Sequence, residues 1–265
     1  MGKKLIGSLE INRIYQMDCL EGMKLIPEKS IDMILCDLPY GTTARNKWDS
    51  VIDLEKLWQQ YIRIIKDNGA IILTAQTPFD KVLGTSNLKL LRYEWIWEKT
   101  NATGHLNAKK MPMKAHENVL VFYKKLPTYN PQKTTGHARK VSTVEQRKTS
   151  KLSTNYNEYI PNTYDSTERY PRSVQVFPMD KQKEAYHPTQ KPVALFEYLI
   201  KTYTNPGELI LDNCMGSRTT AVAALKTDRN FIGFETESQY IEIANRRIES
   251  TYNEIEDEKL LNKTE

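Results

Sequence analysis

The sequence predicts an α/β fold: a mostly parallel sheet with an antiparallel pair of strands at one edge and a polar insertion. Three observations point there. Short apolar runs of strand length alternate with amphipathic helical patterns, which argues for a sheet covered on both faces. Two runs, YEWIWE (93–98) and ENVLVFY (117–123), have no clear helix between them. From residue 126 to 186 the periodicity fades into a polar stretch rich in Tyr, Lys, Ser, Thr and Pro.

In chain order, strands are expected at INRIYQ (11–16), IDMILC (31–36), AIILT (70–74), the two runs just named, ELILD (208–212) and FIGFE (231–235). LEKLWQQYIRIIK (54–66) reads as a helix because Leu54, Leu57, Trp58, Tyr61 and Ile65 fall on one face. PVALFEYLIKTY (192–203) reads likewise, with Pro192 in a first turn and a stripe of Leu195, Phe196 and Leu199. TTAVAALK (219–226) and SQYIEIANRRIES (238–250) continue the alternation.

The chain of 265 residues suits one large core with an insertion. Hydrophobic residues make up 39% and charged residues 27%, a balance that excludes intrinsic disorder. No apolar run reaches the ~20 residues of a membrane span, and MGKKLIGSLE lacks the apolar core of a signal peptide, so a cytoplasmic location is expected. Cys19, Cys36 and Cys214 form no CxxC pair and the four histidines show no ligand spacing, so neither disulfide nor zinc is expected. The net charge of +5 permits a nucleic-acid partner. Residues 133–151 concentrate it, with a single acid, whereas NEIEDEKLLNKTE (253–265) reads as an acidic, solvated tail.

In open α/β sheets, ligands bind beyond the carboxyl ends of the strands. Three strand ends here are chemically unusual: Asp37-Leu38-Pro39-Tyr40, LDNCMGSRTT (211–220) and Glu235 at the close of FIGFE. The last two form a nucleotide-binding pair, a tight turn followed roughly 20 residues on by an acid for ribose hydroxyls. The turn lacks a full GxGxxG cradle, so a nucleoside without phosphates fits better than NAD.

With these segments together, the chain resembles the N6-adenine/N4-cytosine amino-group DNA methyltransferases. DLPY resembles their catalytic [DNS]PP[YFW] motif, LDNCMGSRTT their cofactor-binding turn, and HPTQKP (187–192) the segment that precedes it. The order, catalytic motif first and cofactor turn last, resembles the beta class. The resemblance implies a circularly permuted, Rossmann-like AdoMet-dependent methyltransferase sheet, with S-adenosyl-L-methionine as cofactor and double-stranded DNA as substrate. It divides the chain into a catalytic part at 1–125, a target-recognition insertion at 126–186, a cofactor-binding part of the same domain at 187–252 and the tail. Because little chain follows FIGFE, the next strand of the sheet must come from INRIYQ. Relatives of this class are often dimers, so a homodimer joins the expected partners, as does a cognate restriction enzyme.

The resemblance also assigns roles. An exocyclic amine is a poor nucleophile because its lone pair is delocalised into the ring. Asp37 and the Leu38 carbonyl would accept its hydrogens, Pro39 would fix the backbone that aims them, and Tyr40 would stack on a flipped base. Asp37, Asp18, Cys19, Thr189, Lys191, Asp212, Met215, Gly216, Ser217, Thr219 and Glu235 are the expected cofactor contacts. Lys133, Arg139, Lys140, Arg147, Lys148 and Lys151 are the expected phosphate contacts. Adenine N6 is the favoured target because Asp leads the motif; relatives acting on cytosine N4 more often begin it with Ser. A protein that binds DNA with a decayed cofactor site is the non-enzymatic alternative.

The chain departs from the family pattern at Arg218, where relatives usually have Gly, at Asn213, where Pro is common, and at Leu38, which replaces the first Pro. If position 218 is helical, the backbone tolerates the arginine and its side chain can point outward; if the methionine moiety of the cofactor packs there, the long side chain would obstruct it.

Overall fold

The computed structural model describes residues 4–41, 51–148, 162–180, 190–216 and 218–261. The chain forms two compact units, Pro131–Arg172 and the remainder. The larger unit begins with a two-residue hairpin, β1 (Leu5–Ile6) and β2 (Leu9–Glu10). There follow β3 (Arg13–Gln16), α1 (Cys19–Lys24), β4 (Ile31–Asp37), α2 (Leu54–Ile64), β5 (Ile65–Ala75), α3 (Phe79–Ser86), β6 (Leu91–Thr103) and β7 (Lys114–Phe122). The smaller unit holds β8 (Lys140–Ser142), α4 (Val144–Lys148) and β9 (Tyr164–Ser166), with β8 and β9 antiparallel. The larger unit resumes with β10 (Val174–Phe177), α5 (Val193–Tyr203), β11 (Leu209–Asp212), α6 (Thr219–Lys226), β12 (Asn230–Glu235) and α7 (Ser238–Leu261).

Among the described residues the main sheet has eight strands, in the order β10-β6-β7-β5-β4-β11-β12-β3. Every neighbouring pair is parallel except the two that involve β7. Strand side chains alternate between faces, and the core divides accordingly. Ile34, Cys36, Ile71, Leu73 and Leu211 pack with α1, α2 and α3 on one face. Met33, Leu35, Ala70, Ile72 and Ile210 pack with α5, α6 and α7 on the other. β4 is therefore apolar at nearly every position rather than alternating, as a strand covered on both faces must be.

The N-terminal strand completes the sheet as the permuted order requires: β3 pairs with β12 in parallel, from Ile232–Arg13 to Glu235–Gln16. Four expectations need correction. The antiparallel pair β6–β7 does not form the edge, because β10 lies outside it, parallel to β6. That strand, VQVF, was hidden inside the expected insertion by its polar, proline-rich surroundings. Helix α2 stops at Ile64, since Ile65 is already extended (ψ 138°) and opens β5. Pro192 caps α5 rather than entering it; the first helical N–H, of Val193, donates to Asp180 at 3.1 Å. Helix α7 runs through the expected tail to Leu261.

Helix α1 was too short for a periodic signal. Asp18 caps it, accepting from the N–H groups of Leu20 and Glu21. Its Gly22 lies against the Phe234 ring, where a Cβ would stand 2.5 Å from Cε1. Phe234 is fully buried and has no room to yield. Gly22→Ala is therefore expected to lower stability by about 1–3 kcal/mol; an unchanged urea midpoint would overturn this packing argument.

Candidate active site

Parallel strands deliver their carboxyl ends to one side of the sheet. β4 ends there in Asp37, β5 in Thr74-Ala75, β11 in Asp212 and β12 in Glu235. Beyond them opens a cavity of about 650 Å³. Every described residue among the expected catalytic and cofactor contacts borders it: Asp18, Cys19, Asp37, Leu38, Pro39, Tyr40, Lys191, Asp212, Met215, Gly216, Thr219 and Glu235. Thr189 and Ser217 lie outside the described residues.

Asp37 is held from both sides. Its Oδ1 accepts from Thr74 Oγ1 (2.5 Å) and from the Tyr40 hydroxyl (2.7 Å). Its Oδ2 accepts from Lys191 Nζ at 2.8 Å. The Tyr40 ring stacks on Phe79, with centroids 5.3 Å apart, and Lys191 Nζ lies 5.3 Å from its centre. The tyrosine is thus fixed by its hydroxyl as well as by its ring.

Lys191 also lies 3.3 Å from Glu117 Oε2, and Glu117 Oε1 accepts from Lys99 Nζ at 2.6 Å. Asp37, Lys191, Glu117 and Lys99 form a row of alternating charges, all but Asp37 buried. Burial opposes the charge on Lys191, but Asp37, Tyr40 and Glu117 hold its pKa well above the usual ammonium value. Burial likewise opposes ionisation of Glu117, yet Lys191 and Lys99 bring its carboxyl below the ordinary range. Thr74, Glu117 and Lys99 escaped the sequence reading. Glu117 opens the apolar run ENVLVFY and reads there as a strand-end acid; only the antiparallel register of β7 against β5 and β6 brings it to this end of the sheet.

At the cofactor end, Glu235 ties the turn to the sheet. Its Oε2 accepts from Gly216 N at 2.8 Å, and its Oε1 from the N–H groups of Thr236 and Glu237. Gly216 takes a left-handed backbone (φ +46°). Asp212 is buried and accepts from Thr220 Oγ1 (2.5 Å) and Cys214 N (3.0 Å). Burial pushes its carboxyl up to about 6. Asn213, the other departure in the turn, accepts from the buried Tyr61 hydroxyl. Burial also pushes the Cys36 thiol up to about 12. Thr219 Oγ1 donates to the Lys191 carbonyl at 3.0 Å, joining the start of α6 to the row of charges.

At Arg218 the condition for an outward, tolerated side chain is not met. Its backbone is left-handed (φ +73°), not helical, and its side chain is buried rather than outward. No guanidinium nitrogen has a hydrogen-bond partner among the described residues. Burial, then the nearby charge of Arg247, lowers its pKa to about 9, against the pull of Glu235.

In the smaller unit, the expected phosphate contacts are largely engaged with their own neighbours. Lys133 pairs with Glu168 (2.9 Å), Arg139 meets Asp165 through two nitrogens, and Arg147 donates to Ser142 and Asn162. Lys140 is exposed on β8, and Lys148 ends α4. Lys151 lies outside the described residues.

Two outcomes are expected. Glu117→Gln removes one charge of the row, leaving Lys191 with Asp37 alone and the buried Lys99 without a carboxylate partner among the described residues; a loss of about 3–5 kcal/mol in denaturant unfolding is expected, and a loss below 1 kcal/mol would show that the row contributes little. Arg218→Met keeps the bulk and removes the unpartnered cation, so it is expected to raise stability by at least about 1 kcal/mol at pH 7. The folded-state pKa of Arg218 is lowered, so the cost of its charge is complete below pH 9 and fades as pH rises through that value. The gap between the variant and the parent chain should therefore narrow above pH 9.

The geometry agrees with what comparisons find. DNA adenine methyltransferase YhdJ of Escherichia coli (strain K12) is 29% identical over 256 residues, covering 91% of this chain and 83% of that protein. The solved M1.HpyAVI–SAM complex superposes with a TM-score of 0.62 at 23% identity, over 89% of this chain and 98% of that one. PvuII DNA methyltransferase, cytosine-N4-specific, does so with a TM-score of 0.61 at 16% identity, over 91% of each chain. The family model described as DNA methylase, of the N6/N4 methyltransferases, matches residues 31–246, from the first residue of β4 into α7, and the chain belongs to that family.

Proposed function

We propose that this chain transfers the methyl group of S-adenosyl-L-methionine to the exocyclic amine of a base in double-stranded DNA, with adenine N6 as the target. The observation that carries the reading is the state of Asp37. A carboxylate offers about four lone-pair sites, and Thr74, Tyr40 and Lys191 occupy three. Among the described residues one acceptor site remains, on a group that borders the cavity beside the Leu38-Pro39 backbone. A fixed acceptor aimed at an amine hydrogen turns the nitrogen lone pair outward, and positioning of this kind supplies most of what such a transfer needs.

The other end of the cavity suits the cofactor. Met17, Met215 and Phe234 offer apolar surface, Asp18 and Glu235 offer carboxylates, and Gln190 Oε1 is a buried acceptor with no partner among the described residues. The cofactor, when bound, supplies a methyl group on a positively charged sulfur. The acids around the cavity favour that charge. Adenine is preferred for the Asp that leads the motif and for the similarity to a relative named as an adenine methyltransferase. Cytosine N4 is the second reading, favoured by the similarity to a cytosine-N4-specific enzyme.

The test is transfer of labelled methyl from S-adenosyl-L-methionine to unmethylated genomic DNA, followed by digestion to nucleosides. Label in N6-methyldeoxyadenosine is the expected result, and label in N4-methyldeoxycytidine would replace it with the second reading. Asp37→Ala should cut the rate at least ~100-fold while cofactor binding, read by calorimetry, persists. Absence of both label and cofactor binding in the parent chain would leave a DNA-binding protein without transferase activity.

A further inference from the structure

Strands β6 and β7 continue past the sheet to the pair Thr103–Lys114, and a ten-residue loop joins them. Its composition is unusual for a surface turn. Leu106, Met111 and Met113 are 88%, 55% and 40% exposed. Exposed apolar side chains are ordinary singly, but three within eight residues of one loop form a patch that calls for a partner. Around them, from Lys99 to His116, stand Lys99, Lys109, Lys110 and Lys114 with two histidines and no acid. The loop and its flanking pair also rim the catalytic cavity: Thr103, Gly104, Asn107 and Lys114 line it, and Lys114 Nζ donates to Gln76 Oε1, just past the neighbouring β5, at 3.2 Å.

We infer that this loop is the wedge that opens the duplex at the target base, a proposal that rests on the reading of the chain as a DNA methyltransferase. A base must leave the stack to reach Asp37, at a cost of a few kcal/mol. Apolar side chains such as Leu and Met, inserted between base steps, offset that cost by replacing lost stacking. Leu106 and Met111 are such side chains, largely exposed and on the loop whose Gly104 and Asn107 line the cavity that receives the base. Lys109 and Lys110 are exposed on the same turn and match the phosphates that flank an opened step. Duplex DNA is the partner these features fit: an unbranched polyanion with apolar surface between its charges.

Two measurements test the wedge. Leu106→Ser combined with Met111→Ser removes only exposed side chains, so folding and cofactor binding should be unchanged. Methylation of duplex genomic DNA should fall at least tenfold, and of heat-denatured DNA less than twofold. An equal fall on both forms, or no fall on the duplex, overturns the proposal. Independently of transfer, a benzophenone attached to Leu106→Cys should crosslink to duplex DNA on irradiation, with the equally treated parent chain as control. No crosslink above that control sinks the wedge. A crosslink without methylation by the parent chain keeps the wedge and removes the transferase reading.

Discussion

Asp37 and Lys191 stand 154 positions apart in the chain and meet at 2.8 Å. Each alone would be costly to remove from water, by several kcal/mol per ion in a protein interior. Each is tolerated because the next opposite charge is in place: Lys191 between Asp37 and Glu117, Glu117 between Lys191 and Lys99. The row draws one member from β4, one from the segment before α5, one from β7 and one from β6. It therefore joins the early and late parts of the chain at the point where chemistry is expected. Tyr40 and Thr74 fasten to the same carboxylate, and Thr219 fastens to the Lys191 carbonyl. The shape of the cavity follows from this single set of contacts.

Much of the fold was legible because its strands are buried on both faces. Continuous apolar runs such as IDMILC and AIILT have few other uses, and the helices between them carry stripes. The elements that escaped are those whose stability comes from elsewhere. α1 depends on the Asp18 cap and on Phe234 across the core; β10 depends on its ladder with β6. The site divides in the same way. Asp37, Tyr40, Gly216 and Glu235 sit in local motifs that a sequence displays. Glu117, Lys99 and Thr74 acquire meaning only through register, because nothing near Glu117 in the chain announces a partner at position 191. Lys191 was expected at the cofactor; it lines the cavity, and its ammonium also meets the Asp37 carboxylate, a contact the sequence did not announce.

Arg218 shows how a local rule can fail in an informative direction. A helical backbone would have accepted any residue, but the turn enters α6 through a left-handed position. For an L side chain that conformation costs roughly 1–2 kcal/mol, and glycine would avoid it. The arginine adds to that strain a buried charge without a hydrogen-bond partner among the described residues. The turn keeps its shape nonetheless, since Glu235 grips Gly216 from one side and Met215 N–H donates to Phe234 across the strand.

The place of β3 in the sheet has a consequence for synthesis. Asn12, just before it, bonds to Asn230 and Phe231, 218 and 219 positions later. At ~5–20 residues per second, the ribosome needs roughly 10–45 s to make that intervening chain. Until then β3 lacks its neighbour in the sheet, β12, and the Asp18 wall of the cavity has nothing to stand against. A strand without its ladder partner leaves its backbone N–H and C=O groups open to pairing with another chain. The hairpin of β1 and β2, folded locally beside it, is the shelter the nascent chain can build in the meantime.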